Sequence, residues 1–149
     1  AVTIRSLICP KKSTWTSTAV FPLLETKNFA LSYQLLAPLA EQGEAEAQYR
    51  MAIMLQNGLG MVANEAKAVQ LMQQAAEQGH ALAQHGLGFM YMEGECVEQD
   101  GKTAAKWFKQ AAEQGLVGSL TTLASLYEQG IGVEKNLEEA QRLYKLAGF

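Results

Sequence analysis

Small and apolar residues recur along this chain of 149 residues on two scales. Within stretches of about fourteen residues they return every three or four positions, the spacing that lines one face of an α-helix. Between stretches they return every 36 residues. One set aligns Met51, Leu87 and Leu123; Ala52, Gly88 and Ala124; Met54, Met90 and Leu126; and Leu55, Tyr91 and Tyr127. A second set aligns Leu71, Trp107 and Leu143; Met72, Phe108 and Tyr144; Ala68, Ala104 and Ala140; and Ala75, Ala111 and Ala147. Positions that stay small let helices approach closely, and positions that stay large fill the space between them, so these sets predict the core faces of two recurring helices.

Punctuation follows the same period. Ala-Ala-Glu-Gln-Gly occupies Ala75 to Gly79 and returns at Ala111 to Gly115, with Leu-Ala-Glu-Gln-Gly at Leu39 to Gly43. A second glycine set stands at Gly58, Gly94 and Gly130. Asn28, Asn64, Asp100 and Asn136 share the spacing and are good helix N-caps, because a short polar side chain accepts a bond from a free N–H of the first turn. The predicted elements are B helices over 29–42, 65–78, 101–114 and 137–148, and A helices over 44–57, 80–93 and 116–129, with glycines redirecting the chain between them. Each is only about 21 Å long and needs neighbours to bury its apolar face. A fixed period of this size marks a stack of helix pairs.

The residues between the glycines resemble the Sel1-like repeat family, a relative of the tetratricopeptide repeats. The family pattern runs Leu-Gly-x-Met-Tyr, Gly-x-Gly-Val, Asp, Lys-Ala, Trp and Ala-Ala-x-Gln-Gly. Here it is fullest at Leu87 to Tyr91, Gly94, Val97, Asp100, Lys102, Trp107 and Ala111 to Gly115. It departs at Cys96, where the neighbouring repeats have Gly60 and Gly132. The resemblance covers residues 28–149: a half repeat at 28–43 and repeats at 44–79, 80–115 and 116–149. It implies an all-α fold, a right-handed α-solenoid of helix-turn-helix repeats forming an α/α superhelix, and a function in binding other proteins.

Residues 1–27 break the pattern. They are rich in Ser and Thr, contain Pro10 and Pro22, and read as an irregular N-terminal cap with one degenerate helix near Trp15 to Val20. Residue 1 is Ala rather than Met, consistent with a removed tag, a cleaved signal peptide or a fragment. The lean is to a bacterial periplasmic or secreted protein, with a cytoplasmic one as the alternative. Two cysteines, Cys9 and Cys96, are too few for a disulfide scaffold. The simplest reading is two thiols, and a bridge between them becomes the alternative if the chain folds in an oxidising compartment. A net charge of −3 argues against a nucleic-acid partner, and the absence of a long apolar run argues against membrane insertion.

Signals for catalysis, cofactors or metals are weak. The only histidines, His80 and His85, stand five apart, about 140° around a helix axis, and read as solvated side chains. Gly86-Leu87-Gly88 sits mid-helix and lacks the strand and third glycine of a phosphate loop. Trp107 aligns with Leu71 and Leu143 and reads as core, as do Met51, Met54, Met72 and Met90.

Positions that vary between repeats carry the functional expectation. In the A helices these are Tyr49, Ile53 and Gln56; His85, Phe89 and Met92; and Thr121, Ser125 and Glu128. Each trio lies on one helix face. The resemblance implies that the A helices line the concave side of the superhelix, so the trios read as a partner-binding groove with apolar groups that the repeat core does not require. Two roles follow: a non-enzymatic adaptor holding a protein or peptide in that groove, or an inhibitor, such as an immunity protein, that neutralises one dedicated toxin enzyme.

Overall fold

The computed structural model describes residues 28–149. The N-terminal cap expected at 1–27, its degenerate helix and Cys9 lie outside the described residues. Among the described residues there are seven helices and no strand: α1 (Phe29–Glu41), α2 (Ala45–Asn57), α3 (Glu65–Glu77), α4 (Ala81–Glu93), α5 (Gly101–Glu113), α6 (Val117–Gln129) and α7 (Leu137–Leu146). The fold is an all-α repeat fold, with α2, α4 and α6 as A helices and α1, α3, α5 and α7 as B helices. Observed ends are one residue tighter than the periodicity predicts, except that α7 stops two residues early, with Ala147 as its C-cap and Gly148 following at φ +100°.

The local reasons for these elements are those read from the sequence. Asn28, Asn64 and Asn136 each accept the N–H three residues on, from Leu31, Lys67 and Glu139. Asp100 accepts from the N–H groups of Lys102 and Thr103 and from the Thr103 hydroxyl at 2.6 Å, and these bonds hold its carboxyl below the usual range. Gly58, Gly94 and Gly130 end the A helices in the left-handed conformation. Two residues later the chain presses against the start of the preceding B helix. A Cβ on Gly60 would stand 2.5 Å from Phe29 Cβ, and one on Gly132 would fall on the Gly101 carbonyl. The equivalent Cys96 has φ +63° and is the one non-glycine residue at positive φ among those described.

The chain divides between Gln78 and Gly79 into two compact units. In the first, α2 packs on both α1 and α3 around Met51, Ala52, Met54, Ala68, Met72 and Ala75, all buried. In the second, α4 pairs with α5, α5 with α6 and α6 with α7 around Phe108, Leu120, Leu123, Ala124, Leu126, Ala140 and Leu143. Each fully buried Met, Leu or Phe contributes about 2 kcal/mol from the area it removes from water. Small and large positions compensate one another. A Cβ on Gly88 would meet the Phe108 ring at 3.0 Å, whereas the equivalent pairs are Ala52 with Met72 and Ala124 with Tyr144.

The first two helix pairs share a polar fastening. Gln78, at the end of α3, donates to Gln48 Oε1 at 2.7 Å, and Gln48 donates to Gln74 Oε1 and to the Ala40 carbonyl. Gln114, at the end of α5, donates to Gln84 Oε1 at 2.8 Å and to the Gly79 carbonyl, and Gln84 donates to Gln110 Oε1. The start of each A helix is thereby tied to the end of its B helix, which sets the pair antiparallel. Gln48 and Gln84 are buried, so bonding their amides removes the cost of leaving a polar group dry. In the last pair the corresponding residues are Leu120 and Leu146.

Candidate protein-binding face

The three trios expected on one groove fall into different environments. Tyr49, Ile53 and Gln56 on α2 are buried, at 3%, 0% and 4% exposure, so the expectation of an exposed face is corrected for this helix. Burial is also the main reason the Tyr49 phenol is pushed up, with Glu46 adding to it. The Gln56 amide is dry and has no hydrogen-bond partner among the described residues. Ser125 stands at the position equivalent to Ile53, yet Ile53 is one of the largest wholly buried side chains and belongs to the core.

On α4, His85, Phe89 and Met92 are half-buried. His85 and Phe89 meet edge to face at 4.9 Å, and both meet Phe108 of α5, at 5.5 and 5.1 Å. These T-shaped contacts favour the positive edge of one ring against the face of the next. His85 Nδ1 lies 2.7 Å from Ser119 Oγ on α6, and its ring sits where a Cβ on Gly118 would be 3.4 Å away. The two histidines are therefore not simply solvated. Burial lowers the His85 pKa to about 4, and His80 caps α4 by accepting the Ala83 N–H.

On α6, Thr121 and Ser125 are half-buried and Glu128 is exposed. Thr121 donates to the Gly118 carbonyl, Ser125 accepts from Gln129, and Glu128 accepts the Tyr144 hydroxyl at 3.0 Å, which raises the Tyr144 pKa. The His85–Ser119 bond joins α4 to α6 within this unit. Half-open apolar groups stand on α4, and short polar groups stand on α6 away from Ser119.

The His85–Ser119 pair has the reach of a base and a nucleophile, yet Ser119 is wholly buried and the shift of His85 has burial as its cause with no acid behind the ring. It serves as a fastening between helices. Glu95, in the loop after α4, is raised to about 7 by burial and then by Glu93. No three His, Cys, Asp or Glu side chains among the described residues come together as a metal site. No helix among the described residues is long and apolar enough to cross a membrane. Trp107 and the methionines Met51, Met54, Met72 and Met90 are core, as their alignment predicts. The glutamine fastenings went unread in the sequence, although Gln48 with Gln84, Gln74 with Gln110 and Gln78 with Gln114 repeat at 36.

The Sel1 repeat family matches residues 45–80, 81–116 and 120–148. Among solved structures, a Sel1 repeat protein from Oxalobacter formigenes is 34% identical, with a TM-score of 0.73 over 76% of this chain and 86% of that one. The protein c5321, a protective antigen present in uropathogenic Escherichia coli strains displaying an SLR fold, is 35% identical with a TM-score of 0.74. That match covers 76% of this chain and 24% of that one. Cysteine-rich protein B of Helicobacter pylori shares the fold at 21% identity and a TM-score of 0.61, over 88% of this chain and 90% of that one. No curated protein matches. Sel1-repeat proteins generally mediate contacts between proteins and are typically non-catalytic. Three matched repeats cover most of the chain, and the chain belongs to the Sel1 repeat family.

Proposed function

We propose that this protein is a non-catalytic interaction module that holds a protein or peptide partner against the open faces of α4 and α6. The observation that carries the reading is the half-open state of Phe89 and Met92 on α4, where the same positions on α2 are buried. Partly exposed apolar groups together with polar ones, here Thr121, Ser125 and Glu128, are the composition of an interface centre with its rim. The role of Tyr49, Ile53 and Gln56 becomes support of the scaffold.

The test is capture of partners from the source cell, followed by titration calorimetry with the double variant Met92→Glu, Ser125→Arg. Ser125 sits on half-buried helix surface and Met92 packs partly against the core, so the variant should melt below the parent yet remain folded at the temperature of the titration. Affinity should fall by roughly 2 kcal/mol or more, as for a charge placed at an interface centre. Unchanged affinity in a folded variant removes this face from the reading. Capture of a single enzyme whose activity is abolished makes the module an inhibitor rather than an adaptor.

A further inference from the structure

We propose that the channel between the B helices α5 and α7 is a second docking surface, which takes a short acidic segment of a partner protein carrying an apolar side chain. Two adjoining clefts, of about 520 and 340 Å³, share Lys109, Glu113, Leu123 and Tyr127 as lining. Together they form a channel floored by α6, with α5 as one wall; the other wall is α7 in the larger cleft and the loop at Gly132 and Val133 in the smaller. Its floor is apolar and its far wall mixed: Leu120, Leu123 and Leu143 are buried at the bottom, and Leu146, 60% exposed, stands at the rim with Glu139 and Arg142.

The charge of the channel identifies the occupant. Lys102, Lys106 and Lys109 line the α5 wall at spacings of four and three, which is one helix face, and all three are exposed. Neither Lys102 nor Lys106 has an ion-pair partner among the described residues; Lys106 lies 5.3 Å from the Trp107 ring. Lys109 helps hold Glu139 below its usual range, but the Glu139 carboxylate is already engaged by Arg142. The channel therefore presents Lys102, Lys106, Lys109 and Arg142 against Glu113 and Glu139, a positive surplus on a chain of net charge −3. A ligand with carboxylates is drawn to it and a basic one repelled.

Comparison between repeats shows that the scaffold does not demand this arrangement. The positions of the three lysines on α3 are Ala66, Gln70 and Gln73, all exposed and uncharged. The positions of Leu120 and Leu146 in the other two pairs are Gln48 with Gln74 and Gln84 with Gln110, which bond across the helix pair. In the last pair the polar bridge is gone and an apolar strip lies open beside a basic wall. Lys102 to Lys109 spans about 10 Å along the helix, and four or five extended residues cover that length. The surface is separate from the α4–α6 face and does not depend on it.

The test uses a fluorescein-labelled peptide of about ten residues, with two leucines three positions apart and glutamate elsewhere. Its affinity is read by fluorescence anisotropy at low and high salt. Two control peptides replace every glutamate by glutamine or both leucines by serine. The expected result is saturable binding of the first peptide, weakened about tenfold or more by high salt and by Lys106→Glu, Lys109→Glu, and several-fold by Leu146→Ser. All three substituted residues are exposed, so melting curves should match the parent's, and Met92→Glu, Ser125→Arg should leave this binding unchanged. No binding, equal binding of the glutamine peptide, or insensitivity to the lysine variants overturns the proposal. So does tighter binding of a single-stranded oligonucleotide that depends on the lysines but not on Leu146, which makes the wall a general anion stripe. Self-association abolished by the lysine variants also overturns it, since the occupant is then a second copy of the chain.

Discussion

Helices α2 and α4 begin from the same place in the repeat and have the same length, yet nine residues of α2 are buried against six of α4. Most of the difference falls on the trio positions; Leu55 against Tyr91 adds to it, and Arg50 against Gly86 runs the other way. Tyr49, Ile53 and Gln56 are dry; His85, Phe89 and Met92 keep part of their surface in water. Equivalent positions therefore do different work in different repeats, and variation between repeats marks a position released from the common pattern without saying whether it faces solvent. On α2 the released positions hold core; on α4 they hold a helix-to-helix fastening and an open apolar edge.

Three measurements press on that comparison. The largest effect should come from Ile53→Ser, which leaves a cavity and buries a hydroxyl, at a cost of about 3–4 kcal/mol. The equivalent Phe89→Ser, at a half-open site, should cost roughly half as much. Urea unfolding of both variants decides it, and equal losses would erase the distinction between the two helices.

The second is a pH dependence confined to α4. His85 has its folded pKa lowered to about 4 by burial, so the unfolded chain binds its proton more readily than the folded one. Its contribution is fully present above the ordinary histidine value near 6.5 and is lost as pH falls toward 4. Between pH 7 and pH 4.5 the parent should lose on the order of 2 kcal/mol to this residue, and His85→Gln should flatten that part of the profile. Parallel stability profiles of parent and variant would show that the burial of His85 has no such weight.

The smallest effect concerns Cys96, which adopts a left-handed conformation where the neighbouring repeats have glycine. Cys96→Gly should stabilise by up to about 1 kcal/mol, because the steric strain relieved exceeds the extra freedom that glycine gives the unfolded chain. A lower melting temperature would mean that the contacts of the Cys96 side chain outweigh its strain.

Much of the fold was legible in the sequence because its signals are local. An asparagine before a helix and a glycine after it act within one turn, so both ends of all seven helices could be read to within about two residues. The pairing of Gly88 with Phe108 was visible in part, as small and large positions recurring in register. What was not legible depends on what lies across from a side chain. Nothing near Ile53 in the sequence distinguishes a buried isoleucine from an exposed one. His85 looks like a surface histidine until Phe108 and Ser119, more than twenty residues away, are placed against it. The α4 and α6 parts of the candidate face could be read as positions, but not the bond that joins the two helices.

The glutamine fastening has a bearing on how such a chain can lengthen. Gln48, Gln74 and Gln78 lie within one span of 36 residues, and Gln84, Gln110 and Gln114 within the next. Each of these two helix pairs thus carries both halves of its own latch, so copying either stretch of coding sequence as a whole period delivers a module already closed on itself. No residue elsewhere must change to receive it. A pair can also stand without the latch, as the one holding Leu120 and Leu146 does, while the latches of the other two stay closed.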